Sequence, residues 1–213
     1  MKSRPIFSLF LSLLFLTSFA LADPAGQADA DKGVELYQQR RYKESIQYLE
    51  KALKAGVNSA QESDLWTIVG NGYDALDQYP QAMAAHQKAL EVNPQSYIAW
   101  TNLGATYRHN GNYPEARNCY LKSLEFNPNY PEAHASLGAL YVFEGDPENA
   151  VKSLERALEL NDSLPVTHAN IAVAYAKLGR FEEAQASLDR ANSLGYRNTA
   201  TIQEMIDAEK ADL

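Results

Sequence analysis

Apolar and polar positions along most of this chain follow the spacing of helices, not of strands. In residues 97–130, Trp100, Leu103, Gly104 and Tyr107 stand at i, i+3, i+4 and i+7, which places them on one helix face. After a break at Gly111, a second apolar face follows with Ala116, Tyr120, Ser123 and Leu124. The device then repeats at a fixed interval: Tyr73, Tyr107, Tyr141 and Tyr175 each lie 34 residues after the last. Gly70, Gly104, Gly138 and Ala172 stand before them in register, and Ala82, Ala116, Ala150 and Ala184 stand after them. Such a period marks an array of small helical units, each burying its apolar faces against its neighbours. The units run over 63–96, 97–130, 131–164 and 165–198, with a less regular one over 26–62.

Small residues at Gly104 and Ala116 let the two helix backbones of a unit approach closely, with aromatic side chains filling the space around them. The prolines agree. Pro80, Pro94, Pro114, Pro128, Pro131, Pro147 and Pro165 all fall at predicted helix starts or connections; inside a helix each would cost ~3 kcal/mol. Gly111, Gly145 and Gly179 mark the turn between the two helices of a unit, where a left-handed residue is favoured. The first unit carries its extra residues in Ala55 to Glu62, where Ser59-x-x-Glu62 has the form of a capping box that starts the next helix early. After Asn198, Ile202, Met205 and Ile206 with the charged Glu209 and Lys210 predict a capping helix over 199–213 that covers the last unit's apolar side.

The run Trp100-x-x-Leu103-Gly104-x-x-Tyr107, then Gly111-x-Tyr113, Ala116, Tyr120, Leu124 and Pro128, resembles the tetratricopeptide repeat consensus. Unit 63–96 matches it with Trp66, Gly70, Tyr73, Tyr79, Ala82, Ala89, Leu90 and Pro94. Later units depart at His134, Pro147 and Asp162, then at His168 and Ala172. The first unit keeps Gly33, Tyr42, Ala52 and Leu53 but has Asp29 and Lys32 at apolar positions. The resemblance implies an all-α, right-handed solenoid of antiparallel helix pairs, about five units plus the C-terminal cap. It also implies a concave groove lined by the first helix of each unit. The candidate groove residues are Asn71, Ile98, Asn102, Arg108, Val142, Phe143, Asn170, Val173 and Lys177. The groove is expected to be polar at its amino-terminal end and small or apolar at the other. Asn71, Asn102 and Asn170 are placed to hydrogen-bond an extended peptide backbone. For Phe143 two roles stay open: contact with a partner, or packing against the neighbouring unit's first helix. The family's clamp for an acidic carboxy-terminal tail needs cations where this chain has Thr67, Glu132 and Ser136, so that mode is not expected; Arg108 and Lys177 are the only groove cations.

The first 22 residues stand apart. Lys2 and Arg4 precede an apolar run from Ile6 to Phe19, and Ala20-Leu21-Ala22 supplies small residues at a cleavage site, the pattern of a secretory leader cut after Ala22. The run is short for a membrane span, which needs ~20 residues, so a periplasmic or secreted location is expected and no insertion into the membrane once the leader is gone. Without Lys2 and Arg4 the net charge moves from −8 to −10, which disfavours duplex nucleic acid and anionic lipid as partners. The lone Cys119 cannot form an internal disulfide and reads as a small apolar residue in the stack. His86, His109, His134 and His168 have no His or Cys three or four residues away, so no metal site and no cofactor is expected. Nor does any serine or cysteine sit in a nucleophile motif. A non-enzymatic module that binds another protein is the reading that follows. Its alternative is a scaffold that oligomerises through its convex face or ends, with Tyr97 and Tyr130 near the connections. Intact-mass measurement of the exported protein is expected to show a chain beginning at Asp23; a mass that retains Met1 to Ala22 contradicts the leader.

Overall fold

The structure, a computed structural model, describes residues 24–211; the leader expected over 1–22 lies outside them. Among the described residues the chain is wholly helical, with no strand. The helices are α1 (Pro24–Gln38), α2 (Tyr42–Ala55), α3 (Ser59–Asp74), α4 (Tyr79–Val92), α5 (Tyr97–His109), α6 (Tyr113–Phe126), α7 (Pro131–Glu144), α8 (Pro147–Leu160), α9 (Pro165–Lys177), α10 (Phe181–Ser193) and α11 (Thr199–Ala211). They pack in sequential pairs, α1 on α2 through α9 on α10, and each pair's first helix also packs on the second helix of the pair before it. Short connections make the partners antiparallel. Buried side chains therefore fall into successive clusters along the stack and not around one centre. The solenoid expected from the periodicity is what forms.

Local chemistry explains where each helix begins and ends. Pro80, Pro114, Pro131, Pro147 and Pro165 occupy the first or second position of α4, α6, α7, α8 and α9, where a missing N–H costs nothing. The turn inside each unit is one turn built five times around a left-handed residue. Gly111, Gly145 and Gly179 take φ of 81°, 75° and 71°, while Arg40 and Asp77 take the same role at 60° and 57°. Those two side chains bear a strain of ~1–2 kcal/mol that glycine avoids. The start of α3 differs from the expected capping box. Asn58, not Ser59, is the cap, and its side chain accepts from the Gln61 N–H at 2.9 Å. The helix still begins early, as the longer first unit requires.

What holds a pair together is a close crossing between a glycine on the first helix and a large side chain on the second. A Cβ added at Gly104 would stand 2.7 Å from Tyr120 Cε1 and 3.1 Å from the Ala116 carbonyl oxygen, closer than van der Waals contact allows. Gly33 faces Leu49, Gly70 faces the His86 ring, and Gly138 faces Leu154. Beside the crossing, Ala82, Ala116, Ala150 and Ala184 are fully buried.

Buried hydroxyls tie the pair at its far end. Ser63 Oγ donates to the Ala89 carbonyl at 3.0 Å and Ser123 Oγ to the Tyr97 carbonyl at 2.8 Å. At the aromatic position of each first helix, Trp100 Nε1 donates to the Pro94 carbonyl at 2.9 Å. His134 and His168 place Nε2 at 2.9 and 3.0 Å from the Pro128 and Asp162 carbonyls. Histidine thus replaces tryptophan while keeping the bond to the carbonyl six residues back.

His86 breaks the pattern of large apolar residues at its position. It is fully buried, and neither ring nitrogen has a hydrogen-bond partner. Burial alone lowers its pKa from 6.5 to about 4. The unfolded chain therefore takes up a proton between pH 6.5 and 4 that the folded chain refuses, so stability falls as pH falls through that window. The full loss is on the order of 3 kcal/mol by the conversion of pKa shift to free energy. Urea titrations across pH 4–7 are expected to show this slope in the parent and its loss in His86→Leu, which copies Leu49 and Leu154. An identical slope in the variant contradicts the assignment.

Candidate functional site

The first helices α5, α7 and α9 line up side by side, and their inner faces enclose an open cavity of about 590 Å³. Arg108 from α5, Glu132, Ser136, Val142 and Phe143 from α7, and Val166 and Asn170 from α9 line it. Four of the sequence-derived groove residues, Arg108, Val142, Phe143 and Asn170, are therefore brought into one site. Ile98 and Asn102 lie on α5 outside the cavity's lining, Ile98 42 % exposed and Asn102 half-buried. Asn71 sits on α3 beside the Tyr37 hydroxyl of α1 and favours its ionised form, so it is engaged one unit away from the cavity.

The apolar part of the wall is real but displaced from where the sequence put it. Phe143 is 65 % exposed and Val166 58 %. Phe143 does rest on a neighbour, with its ring 4.5 Å from that of Tyr113, but Tyr113 begins the neighbouring unit's second helix, not its first. The expected apolar carboxy-terminal end is closed. Helix α11 packs more extensively on α9 than on α10, and Val173 is only 9 % exposed, with Ala169 and Ala176 buried as well. The corresponding Ala139 and Val142 on α7 are half-buried. Lys177 is tied to Glu209 of α11 by an ion pair. Val173 and Lys177 are thus withdrawn from the groove, because the cap leans further onto the inner wall than a next repeat's first helix does.

The electrostatics of the wall are sparse. Arg108 Nη2 lies 2.9 Å from His109 Nε2, and His109 Nδ1 lies 3.5 Å from Asp74. Glu132 supplies the one carboxylate lining the cavity. Tyr97 and Tyr130, expected as free surface tyrosines, are half-buried and pack edge-on against each other at 4.8 Å. Burial pushes the Tyr130 hydroxyl up to about 12.

Sequence reasoning missed a second cavity. Leu90, Trp100, Leu103, Tyr107 and Cys119 line about 510 Å³ between α4, α5 and α6, rimmed by Glu91 and Glu115. On α5 these residues lie on the opposite side of the helix from the groove positions. Cys119 is buried there, and its thiol is pushed up to about 12, so it carries no thiolate at neutral pH. Among the described residues no cluster of three or more His, Cys, Asp or Glu stands where it would hold a metal ion, and no helix is long and apolar enough to cross a membrane.

Three family models described as tetratricopeptide repeat match residues 30–55, 95–163 and 143–200. No curated protein matches the sequence. Among solved structures, a thermophilic TPR protein of Thermus thermophilus is 22 % identical, covers 88 % of this chain and 100 % of its own, and superposes with a TM-score of 0.66. The Pseudomonas aeruginosa pilF protein is 19 % identical with 88 % of each chain covered and a TM-score of 0.73. A MamA structure is 25 % identical, covering 81 % of this chain and 97 % of that one at a TM-score of 0.59. The first two likenesses speak to fold alone.

Proposed function

We propose that this chain, which belongs to the tetratricopeptide repeat family, is exported and holds a segment of another envelope or secreted protein in the cavity between α5, α7 and α9. Repeats of this family make a protein–protein interaction module, in a fold that is typically non-catalytic. The groove assignment rests on one observation above the others: Phe143 and Val166 leave large apolar surface exposed inside a concave site. Exposed apolar residues gathered in one place mark a contact surface more than scattered ones do. The export part of the reading rests on the leader pattern of residues 1–22.

A second reading places the contact on the opposite side, where Leu121 and Phe126 of α6 are 43 % and 41 % exposed. There the chain would act as a scaffold that oligomerises or bridges an assembly through its convex face. Crosslinking in the native envelope followed by pull-down separates the two. Phe143→Asp combined with Asn102→Ala is expected to abolish capture of a specific partner while Leu121→Asp leaves it intact. A partner set unchanged in the groove variant and lost in Leu121→Asp overturns the groove and supports the convex face.

A further inference from the structure

At the floor of the concave cavity three hydrogen-bond donors converge without an acceptor. Tyr120 is fully buried on α6 with its ring against Gly104, and its hydroxyl has no hydrogen-bond partner. That hydroxyl stands beside Arg108 of α5 and Ser136 of α7, both of which line the cavity. Each of them favours the ionised hydroxyl, although burial outweighs them and raises its pKa overall. Buried polar groups in folded proteins are nearly always paired, so this one requires an explanation. Arg108 is unusual in the same way. Arg41, Arg117, Arg156, Arg180 and Arg190 each bind a carboxylate. Arg108, among the described residues, meets only the neighbouring His109 imidazole. A guanidinium left without a carboxylate on the inner wall of a chain carrying −8 overall is a placed charge, not a statistical accident of composition.

We propose that Arg108, Tyr120 and Ser136 form a carboxylate-binding subsite of the groove, which takes one aspartate or glutamate side chain of the bound segment while that segment's apolar neighbours lie on Val142 and Phe143. The proposal rests on the groove reading above and narrows it. Guanidinium and hydroxyl donors aimed at one point are the chemistry that recognises a carboxylate. Glu132 lines the same cavity and Asp74 stands beyond His109, so a second negative charge is repelled and a single carboxylate is selected. The cavity also runs on from the subsite to Leu164 and Val166. The chain that carries the carboxylate therefore continues past it, which fits an internal side chain and not a chain terminus.

Titration of the ¹⁵N-labelled mature protein with three short peptides tests this. The first is N-acetyl-Glu-Leu-Phe-amide, the second replaces Glu with Gln, and the third is the Gln peptide with a free terminal carboxylate. The Glu amide is expected to bind about tenfold more tightly than the Gln amide, with shifts at the Ala135, Ala139 and Val142 amides. Arg108→Gln and Tyr120→Phe are each expected to remove most of that preference while leaving Gln-peptide binding unchanged. Tyr120→Phe deletes only an unpaired hydroxyl, so folding is retained. Equal affinity for the two amides, or a preference that survives Arg108→Gln, overturns the subsite but leaves the groove standing. If the free-acid Gln peptide binds as tightly as the Glu amide, the side-chain source is overturned. No shift at the inner-wall amides with any of the three overturns subsite and groove together.

Discussion

The close approach of two helix backbones at a glycine is the contact on which the rest of this molecule depends. Gly104 admits the Tyr120 ring at a distance no side chain at that position would permit, and Gly33, Gly70 and Gly138 do the same for Leu49, His86 and Leu154. Because each pair is locked this way, its first helix presents one face to the second helix and leaves the other free. Stacking repeats that choice, so the free faces of α5, α7 and α9 merge into one wall. The fully buried alanines beside the crossing serve the same end by keeping the second helix near. The unit tolerates variety elsewhere: the left-handed turn residue is Arg40 or Asp77 in two units and glycine in three, and the ring that reaches back to a carbonyl is Trp100, His134 or His168.

The same contact gives the groove its chemistry. At the crossing in unit 97–130 the large residue is a tyrosine, whose polar end reaches past the glycine to the inner wall beside Arg108 and Ser136. In unit 63–96 it is His86, held neutral by burial with both nitrogens unpaired. Leucine at the equivalent positions of the other units brings no such polar end. Differences at one packing position thus separate the units chemically while leaving their geometry alike. At the carboxy-terminal end α11 adds a second asymmetry by covering Val173 and engaging Lys177, so the accessible wall is the middle of the solenoid.

Much of this was legible in the sequence because repetition multiplies weak signals. One glycine before a tyrosine says little, whereas the same pair at a fixed interval fixes helix faces, turns and unit boundaries together. The register of Arg108, Val142, Phe143 and Asn170 on one wall followed from it. What was not legible depends on contacts outside a single unit. Val173 obeys the groove register of α9 and is buried only because α11 leans inward, a tilt that no periodicity encodes. Phe143 finds Tyr113 across a unit boundary, and Tyr97 finds Tyr130, pairings that require three-dimensional placement. The shift of the α3 cap from Ser59 to Asn58 is a difference of one residue at a helix end, where local sequence leaves two good candidates. His86 was visible as a histidine at a position of large apolar residues, yet its missing partners appear only once the neighbouring helices are in place.

A double-mutant cycle on Gly104 and Tyr120 measures the central contact directly. Gly104→Leu alone is expected to cost ~1–3 kcal/mol of unfolding free energy by overpacking, and Tyr120→Ala alone about 3–5 kcal/mol by opening a cavity. Together they are expected to cost less than their sum by more than ~1 kcal/mol, because the leucine enters the space that the ring vacates. Additivity within ~0.5 kcal/mol would show that the two residues do not share that space, and the crossing would then not be what positions the inner wall.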